Sequence, residues 1–196
     1  MAKLLHINSS VRTEGSLSRQ LSAEFLDQWR LTHPSDTIVE RDLAAQPVPH
    51  LNEEILGAFF TPAANRTPAQ NQTAQLSEQL IAELFAADVI VIGAPMYNFS
   101  ISSGLKAWID QVARAGLTFK YTETGPLGLV TGKKVYVFTS RGGVYSSGPG
   151  KAMDFHETYL RAVLGFIGLT DITFVHTEGV ALGEAAVGNA VTQTRS

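Results

Sequence analysis

Three short segments hold residue types that are poorly explained as mere connectors, and each follows an apolar run. The first is Asn8-Ser9-Ser10-Val11-Arg12-Thr13-Glu14-Gly15-Ser16-Leu17-Ser18, with five hydroxyls, one arginine and one glycine. Hydroxyls beside the free N–H groups of a helix start make a seat for phosphate without a large positive charge. The same residues also read as a polar turn with Ser16 as a helix cap, and composition does not choose between the two. The second is Ala94-Pro95-Met96-Tyr97-Asn98-Phe99-Ser100. A flat heteroaromatic ring such as an isoalloxazine would pack on its apolar groups and bond to its backbone N–H groups. The alternative is that Tyr97 and Phe99 plug into neighbouring helices. The position after a strand favours the ligand. The third runs from Thr139 through Ser140-Arg141-Gly142-Gly143-Val144-Tyr145 to Pro149. Its paired glycines let the backbone approach a ligand edge closely, and their N–H groups would stabilise negative charge on a reduced flavin.

The elements that must position these loops alternate between two periodicities. Lys3 to Ile7 predicts a short strand, and Leu17, Leu21, Phe25, Leu26 and Trp29 recur at helical spacing. Thr37 to Val39 starts a second strand, and a helix capped by Asn52 follows. Thr67-Pro68-Ala69-Gln70 signals a capping box with proline at the first helical position, opening a long helix. Its buried stripe is expected to be Leu76, Leu80, Ile81, Leu84 and Phe85. Asp88 to Gly93 is a Val/Ile run typical of a strand covered on both faces. Ile101, Leu105, Trp108, Ile109 and Val112 predict a helix ended by Gly116, with Trp108 in the core. Strands at Lys134–Ser140 and Ile172–His176 flank a helix capped by Asp154. This alternation predicts an α/β protein with a five-stranded parallel sheet in the flavodoxin-like order 2-1-3-4-5 and helices on both faces. Ligands of such a sheet sit at the carboxyl ends of its strands.

Composition narrows the function. The 196 residues are 44% hydrophobic and 17% charged, enough for a folded core and too few charges for disorder. A net charge of −3 gives no cationic surface for a phosphate backbone, so no nucleic-acid partner is expected. There is no cysteine, which removes thiol nucleophiles, thiolate metal sites and disulfides together. His6, His33, His50, His156 and His176 show no metal-ligand spacing, and none is assigned to a metal; His6 and His176 read as structural. No stretch resembles a signal peptide or a membrane span, so the expected location is cytoplasmic. Ser140-Arg141-Gly142 looks like half of a nucleophile elbow, but Phe138 stands where the first glycine is needed. Thr131-Gly132-Lys133-Lys134 looks like a Walker fragment, yet it enters a strand rather than a helix.

Together the three loops resemble the bacterial FMN-dependent NAD(P)H azoreductases, also known as quinone reductases, of the flavodoxin-like superfamily. The likeness rests on Asn8-Ser9-Ser10 with Ser16-Leu17-Ser18, on Ala94 to Phe99, and on Ser140 to Gly143, in that order along the chain. Leu105 to Asp110, Phe119 to Glu123, Gly132 to Lys134 and Leu164 to Gly168 support it. The resemblance implies one flavodoxin-like domain over residues 1–196 and a homodimer with one non-covalent FMN per subunit, bound where subunits meet. It implies that Ser10, Ser16, Leu17 and Ser18 hold the FMN phosphate. Pro95, Met96, Tyr97, Asn98, Phe99, Ser140, Arg141, Gly142 and Gly143 would then hold the isoalloxazine. NADH or NADPH would be the co-substrate, with quinones and azo dyes as acceptors in a two-electron ping-pong cycle. No catalytic side chain is implied, because the chemistry belongs to FMN.

Two readings of the residues themselves complete the expectation. Phe119 and Tyr121 lie two residues apart on an extended segment and so point to one side. If that excursion leaves near the carboxyl edge of the sheet, they and Tyr145 would roof the flavin and stack on acceptors; packing within a hairpin is the rival. Apolar surface at Tyr97–Trp108 and Leu51–Phe60 would favour the dimer. The alternative function is a flavodoxin-type FMN electron carrier without its own nicotinamide turnover, for which a charge of −3 is weak support.

Overall fold

The computed structural model describes residues 1–182. Its elements are β1 (Lys3–Asn8), α1 (Leu17–Thr32), β2 (Thr37–Asp42), α2 (Glu53–Phe60), α3 (Pro68–Ala86), β3 (Val89–Pro95) and α4 (Ser103–Val112). These are followed by β4 (Phe119–Thr122), β5 (Gly125–Gly128), β6 (Lys134–Ser140), α5 (Phe155–Ile167) and β7 (Asp171–Thr177). One five-stranded sheet has the order β2-β1-β3-β6-β7, and every neighbouring pair is parallel. With β4 and β5 left out of the count, this is the expected 2-1-3-4-5 order. The order reverses between β1 and β3, which opens a crevice at their carboxyl ends.

Strand β3 shows why the sheet is sandwiched. All seven of its residues are buried, and alternate ones serve opposite layers. Ile90 and Ile92 join Leu5, Ile7, Leu84, Trp108 and Leu160 beneath α3, α4 and α5. Val89 and Val91 join Leu4, Leu21 and Leu26 beneath α1. Each such fully buried side chain stabilises the fold by about 1.5–3 kcal/mol. His6 is structural, as expected. Its Nδ1 lies 2.6 Å from Glu40 Oε2 and its Nε2 2.9 Å from Ser22 Oγ, tying β1 to β2 and α1.

The helix starts follow the residue types. Thr67 and Gln70 make a reciprocal capping box at 3.2 and 3.0 Å, with Pro68 in the first turn. Asn52 caps α2 and Asp154 caps α5. Lys133, from the discarded Walker fragment, instead donates to the Phe85 and Ala87 carbonyls at the end of α3.

Several expectations are corrected. Phe85 is exposed, because it lies on the flank of the apolar stripe in the last turn of α3; Ala74 and Ser77 complete the stripe. Ile101 precedes the Ser102 cap of α4, and the helix ends at Val112, ahead of Gly116. Its end is sealed by the Thr118 hydroxyl, which donates to the Val112 carbonyl at 2.6 Å. In the Tyr97–Trp108 segment only Phe99 is an exposed large hydrophobic, and in Leu51–Phe60 only Leu56 and Phe60 are.

The largest correction concerns the excursion after α4. β4 and β5 form an antiparallel hairpin outside the sheet. A helix that follows a parallel strand runs back toward the amino edge before the next strand begins. The hairpin docks where α5 ends: Gly128 lies too close to Gly168 to carry a Cβ, and Val130 N donates to the Ile167 carbonyl at 2.9 Å. It therefore leaves from the amino edge of the sheet, opposite the crevice.

Candidate functional site

The loops after β1, β3 and β6 converge on a cavity of about 690 Å³, within the roughly 300–1,000 Å³ of small-molecule sites. Ser10, Ser16 and Leu17 line it from the first loop, Pro95, Met96 and Tyr97 from the second, and Ser140 and Gly142 from the third. Arg12, Gly15 and Val180 line it as well. Val180 had no sequence signal, since it follows the last strand of the sheet and belongs to no motif.

The first loop ends at the N-terminus of α1. Ser16 sits in the cap position, yet its side chain makes no capping bond; it lies 3.3 Å from the buried Ser18 hydroxyl. In α2, α3, α4 and α5 the cap side chain does accept a backbone N–H. The first turn of α1 contains no acidic residue, so its amides face no competing carboxylate of their own helix. Ser10 accepts from Arg12 N at 3.2 Å and lies 3.3 Å from the Tyr97 hydroxyl, linking the first loop to the second. Ser9 is a tie between strands: its N and its hydroxyl both donate to the Gly93 carbonyl, at 3.0 and 2.8 Å.

The second loop turns sharply at Asn98-Phe99, between reciprocal backbone bonds of Tyr97 and Ser100 at 2.9 and 3.0 Å. Asn98 and Phe99 both have left-handed φ, 48° and 70°. Two successive left-handed residues are the pattern of a type I′ turn, and at Phe99 the conformation is strained. Neither aromatic plugs into a helix core. Tyr97 faces the cavity half-buried, and exposed Phe99 meets Tyr145 of the third loop edge-on, with ring centroids 6.2 Å apart. Met96 N donates to the Ser140 carbonyl at 2.9 Å, joining the second and third loops.

The third loop is pinned from below. Arg141 is fully buried, and its guanidinium is 3.0 Å from Asp154 and 3.1 Å from Glu178. Its backbone is also engaged: N donates to the Thr177 carbonyl, and its carbonyl accepts from Val180 N. Glu178 accepts from Tyr145 N at 2.9 Å, from Ser146 N at 3.0 Å and from the Ser146 hydroxyl. Burial would raise the Glu178 carboxyl, but the bonds from Ser146, Tyr145 and Arg141 outweigh it and hold the group below its ordinary value. Nearby His156 is fully buried with neither ring nitrogen partnered among the described residues. Burial first, then the Arg141 guanidinium, push its pKa down to about 4.

The acceptor candidates sit apart from the cavity. Phe119 is core, packed at a tilt against Phe166 with ring centroids 4.4 Å apart. Tyr121 is 73% exposed on the amino-edge hairpin and meets Phe119 edge-on. Neither lines the cavity, because the hairpin leaves from the wrong end of the sheet. Tyr145 lines a neighbouring groove of about 440 Å³ with Lys151 and Asp154. Gly143 lies beneath the Tyr145 ring, and Asn98 lines an adjoining cavity. Among the described residues no cluster of metal-ligating side chains is assembled, and no helix is long and apolar enough to cross a membrane.

A flavin mononucleotide suits the groups present. The uncapped helix start and the serine hydroxyls match a phosphate, and the apolar second loop with the glycine backbone of the third matches a flat polar-edged ring.

Comparison with known proteins agrees. Residues 2–196 match a family described as having a flavodoxin-like fold. The chain is 64% identical over 194 residues to the FMN-dependent NADH:quinone oxidoreductase of Herminiimonas arsenicoxydans, covering 99% of this chain and 95% of that protein. It is 54% identical over 183 residues to the enzyme of the same name from Azotobacter vinelandii, covering 93% and 90%. Among solved structures, the azoreductase of Bacillus anthracis str. Sterne superposes with a TM-score of 0.91 at 31% identity, covering 99% and 95%. An FMN-dependent NADH-azoreductase of Bacillus anthracis str. Ames Ancestor, solved in complex with FMN, gives a TM-score of 0.87 at 27% identity, covering 98% and 95%.

Proposed function

Because the chain belongs to this family with the flavodoxin-like fold, we propose that it is an FMN-dependent oxidoreductase that uses NADH to reduce quinones and aromatic azo compounds. The observation that carries this reading is the convergence of three separate loops on one cavity whose floor is the one helix start, among α1 to α5, lacking a side-chain cap. Curated relatives named for NADH:quinone oxidoreduction favour an enzyme over an electron carrier.

FMN, when bound, supplies the two-electron redox chemistry. The chain's own residues bind and orient. In this reading Ser10, Ser16 and Ser18, with the first-turn amides of α1, hold the phosphate. Met96, Tyr97 and the turn at Asn98-Phe99 pack on the ring, and the backbone of Gly142 and Gly143 approaches its polar edge. The guanidinium of Arg141 is engaged by Asp154 and Glu178, so its part is to hold the third loop in shape. Acceptors would be flat and aromatic, matching the edge-on Phe99–Tyr145 pair formed by the second and third loops.

The same reading takes the active form as a homodimer. What supports it is that the large apolar side chains Val11, Phe60, Phe99 and Phe155 are exposed in the single chain. Tyr121 would reach an acceptor only if a second copy brings it there. Quinone-dependent NADH oxidation by the purified, FMN-loaded protein tests the function; FMN binding without NADH oxidation would leave an electron carrier.

A further inference from the structure

Arg19, in the first turn of α1, uses one guanidinium to join three segments. Its Nη1 and Nη2 donate to Asp42 Oδ2 and Oδ1 at 2.6 and 2.7 Å, a bidentate fork. Its Nε donates to the Arg12 carbonyl and its Nη2 to the Ser10 carbonyl, each at 2.9 Å. Asp42 ends β2 and is itself anchored, accepting from Ala44 N at 2.9 Å and Ala45 N at 3.3 Å. Behind the fork, the Ser22 hydroxyl donates to the Arg19 carbonyl at 3.0 Å. Ser10 and Arg12 both line the cavity.

Carbonyl oxygens repel an anion and amides attract it, so a phosphate loop must turn its carbonyls away. Arg19 holds two of them on its own side. Asp42 neutralises the guanidinium, so the pair adds shape to the seat and little charge. We propose that the Arg19–Asp42 fork is the clamp that holds the loop between β1 and α1 in its phosphate-binding conformation, making both positioning residues for FMN. The inference rests on the reading that this loop seats the FMN phosphate.

Charge and geometry predict opposite signs. If Asp42 acted only through its charge, Asp42→Asn would remove a repulsion and tighten FMN. If it anchors the clamp, the same change weakens FMN. Arg19→Lys keeps the charge and loses the fork. Flavin-stripped wild type, R19K and D42N are each titrated with FMN and with riboflavin, which lacks the phosphate, by flavin fluorescence. Wild type is expected to prefer FMN. Each variant is expected to lose about tenfold or more in FMN affinity, the equivalent of a single strong hydrogen bond, with little change for riboflavin. Tighter FMN binding by D42N, an unchanged FMN preference in both variants, or equal losses for both flavins would overturn the clamp. Equal affinity of wild type for both flavins would instead remove the phosphate seat, and the clamp with it. Either variant alone decides the question should the other fail to fold.

Discussion

His156 makes the stability of this protein sensitive to acid in a calculable window. Its imidazole is fully buried, unpartnered among the described residues, and faces Arg141, Asp154, Glu157 and His176. Burial and the Arg141 charge move its pKa from 6.5 in the unfolded chain down to about 4 in the fold. Between those values the unfolded chain binds a proton that the folded protein refuses, so stability is full above the unfolded pKa and falls as pH drops toward the folded one. At 1.36 kcal/mol per pH unit, the loss by pH 4 is about 3 kcal/mol, a large share of the roughly 5–15 kcal/mol that holds a domain together. His156→Leu keeps the site apolar and removes the titration. Urea unfolding of the flavin-free protein between pH 7 and pH 4.5 should show the variant at least as stable as wild type at neutral pH, with an acid slope shallower by about one proton. His176, whose pKa is lowered by burial and by Arg141, keeps its own acid dependence in both proteins. Superimposable acid profiles for wild type and His156→Leu would refute the argument.

Other outcomes follow from the same geometry. Replacing both Ser16 and Ser18 with Ala should weaken FMN by roughly 1.5–3 kcal/mol for each hydroxyl bonded to the phosphate, while the thermal midpoint of the flavin-free form moves little; equilibrium titration checks both. Tyr121→Ala should change acceptor KM and selectivity while FMN stays bound, and wild-type kinetics across several quinones and azo dyes would assign Tyr121 to packing against Phe119 alone. Gly128→Ala should destabilise the protein by about 1–3 kcal/mol through overpacking against Gly168, read by thermal unfolding, because the contact is backbone on backbone and has no flexible side chain to yield.

The sheet was legible because its strands are Val/Ile runs whose two-faced burial leaves little choice of partner. Helix starts were legible because Asn52, Thr67 and Asp154 act within three residues of themselves. The site was legible as three loops, since each is a local motif at a strand end. What escaped is long-range. Arg19 and Asp42 are 23 residues apart and belong to no local motif. Glu178 pins the Tyr145–Ser146 amides from beyond β7, and Arg141 looks like a cofactor contact until the fold delivers Asp154 and Glu178 to its guanidinium. The exit edge of the hairpin follows from the parallel order of the sheet, which sends α4 back to the amino edge, and the residues of the excursion alone do not carry it.

If FMN held in the three-loop cavity carries electrons from NADH to an acceptor, its reduction and its reoxidation can be separated in time. The most direct test is anaerobic and stepwise: NADH is added to the FMN-loaded protein without acceptor, and a quinone follows once the nicotinamide has been removed. The flavin's visible absorbance is expected to be lost in the first step and to return in full in the second. An absorbance that NADH leaves unchanged would contradict electron transfer through FMN.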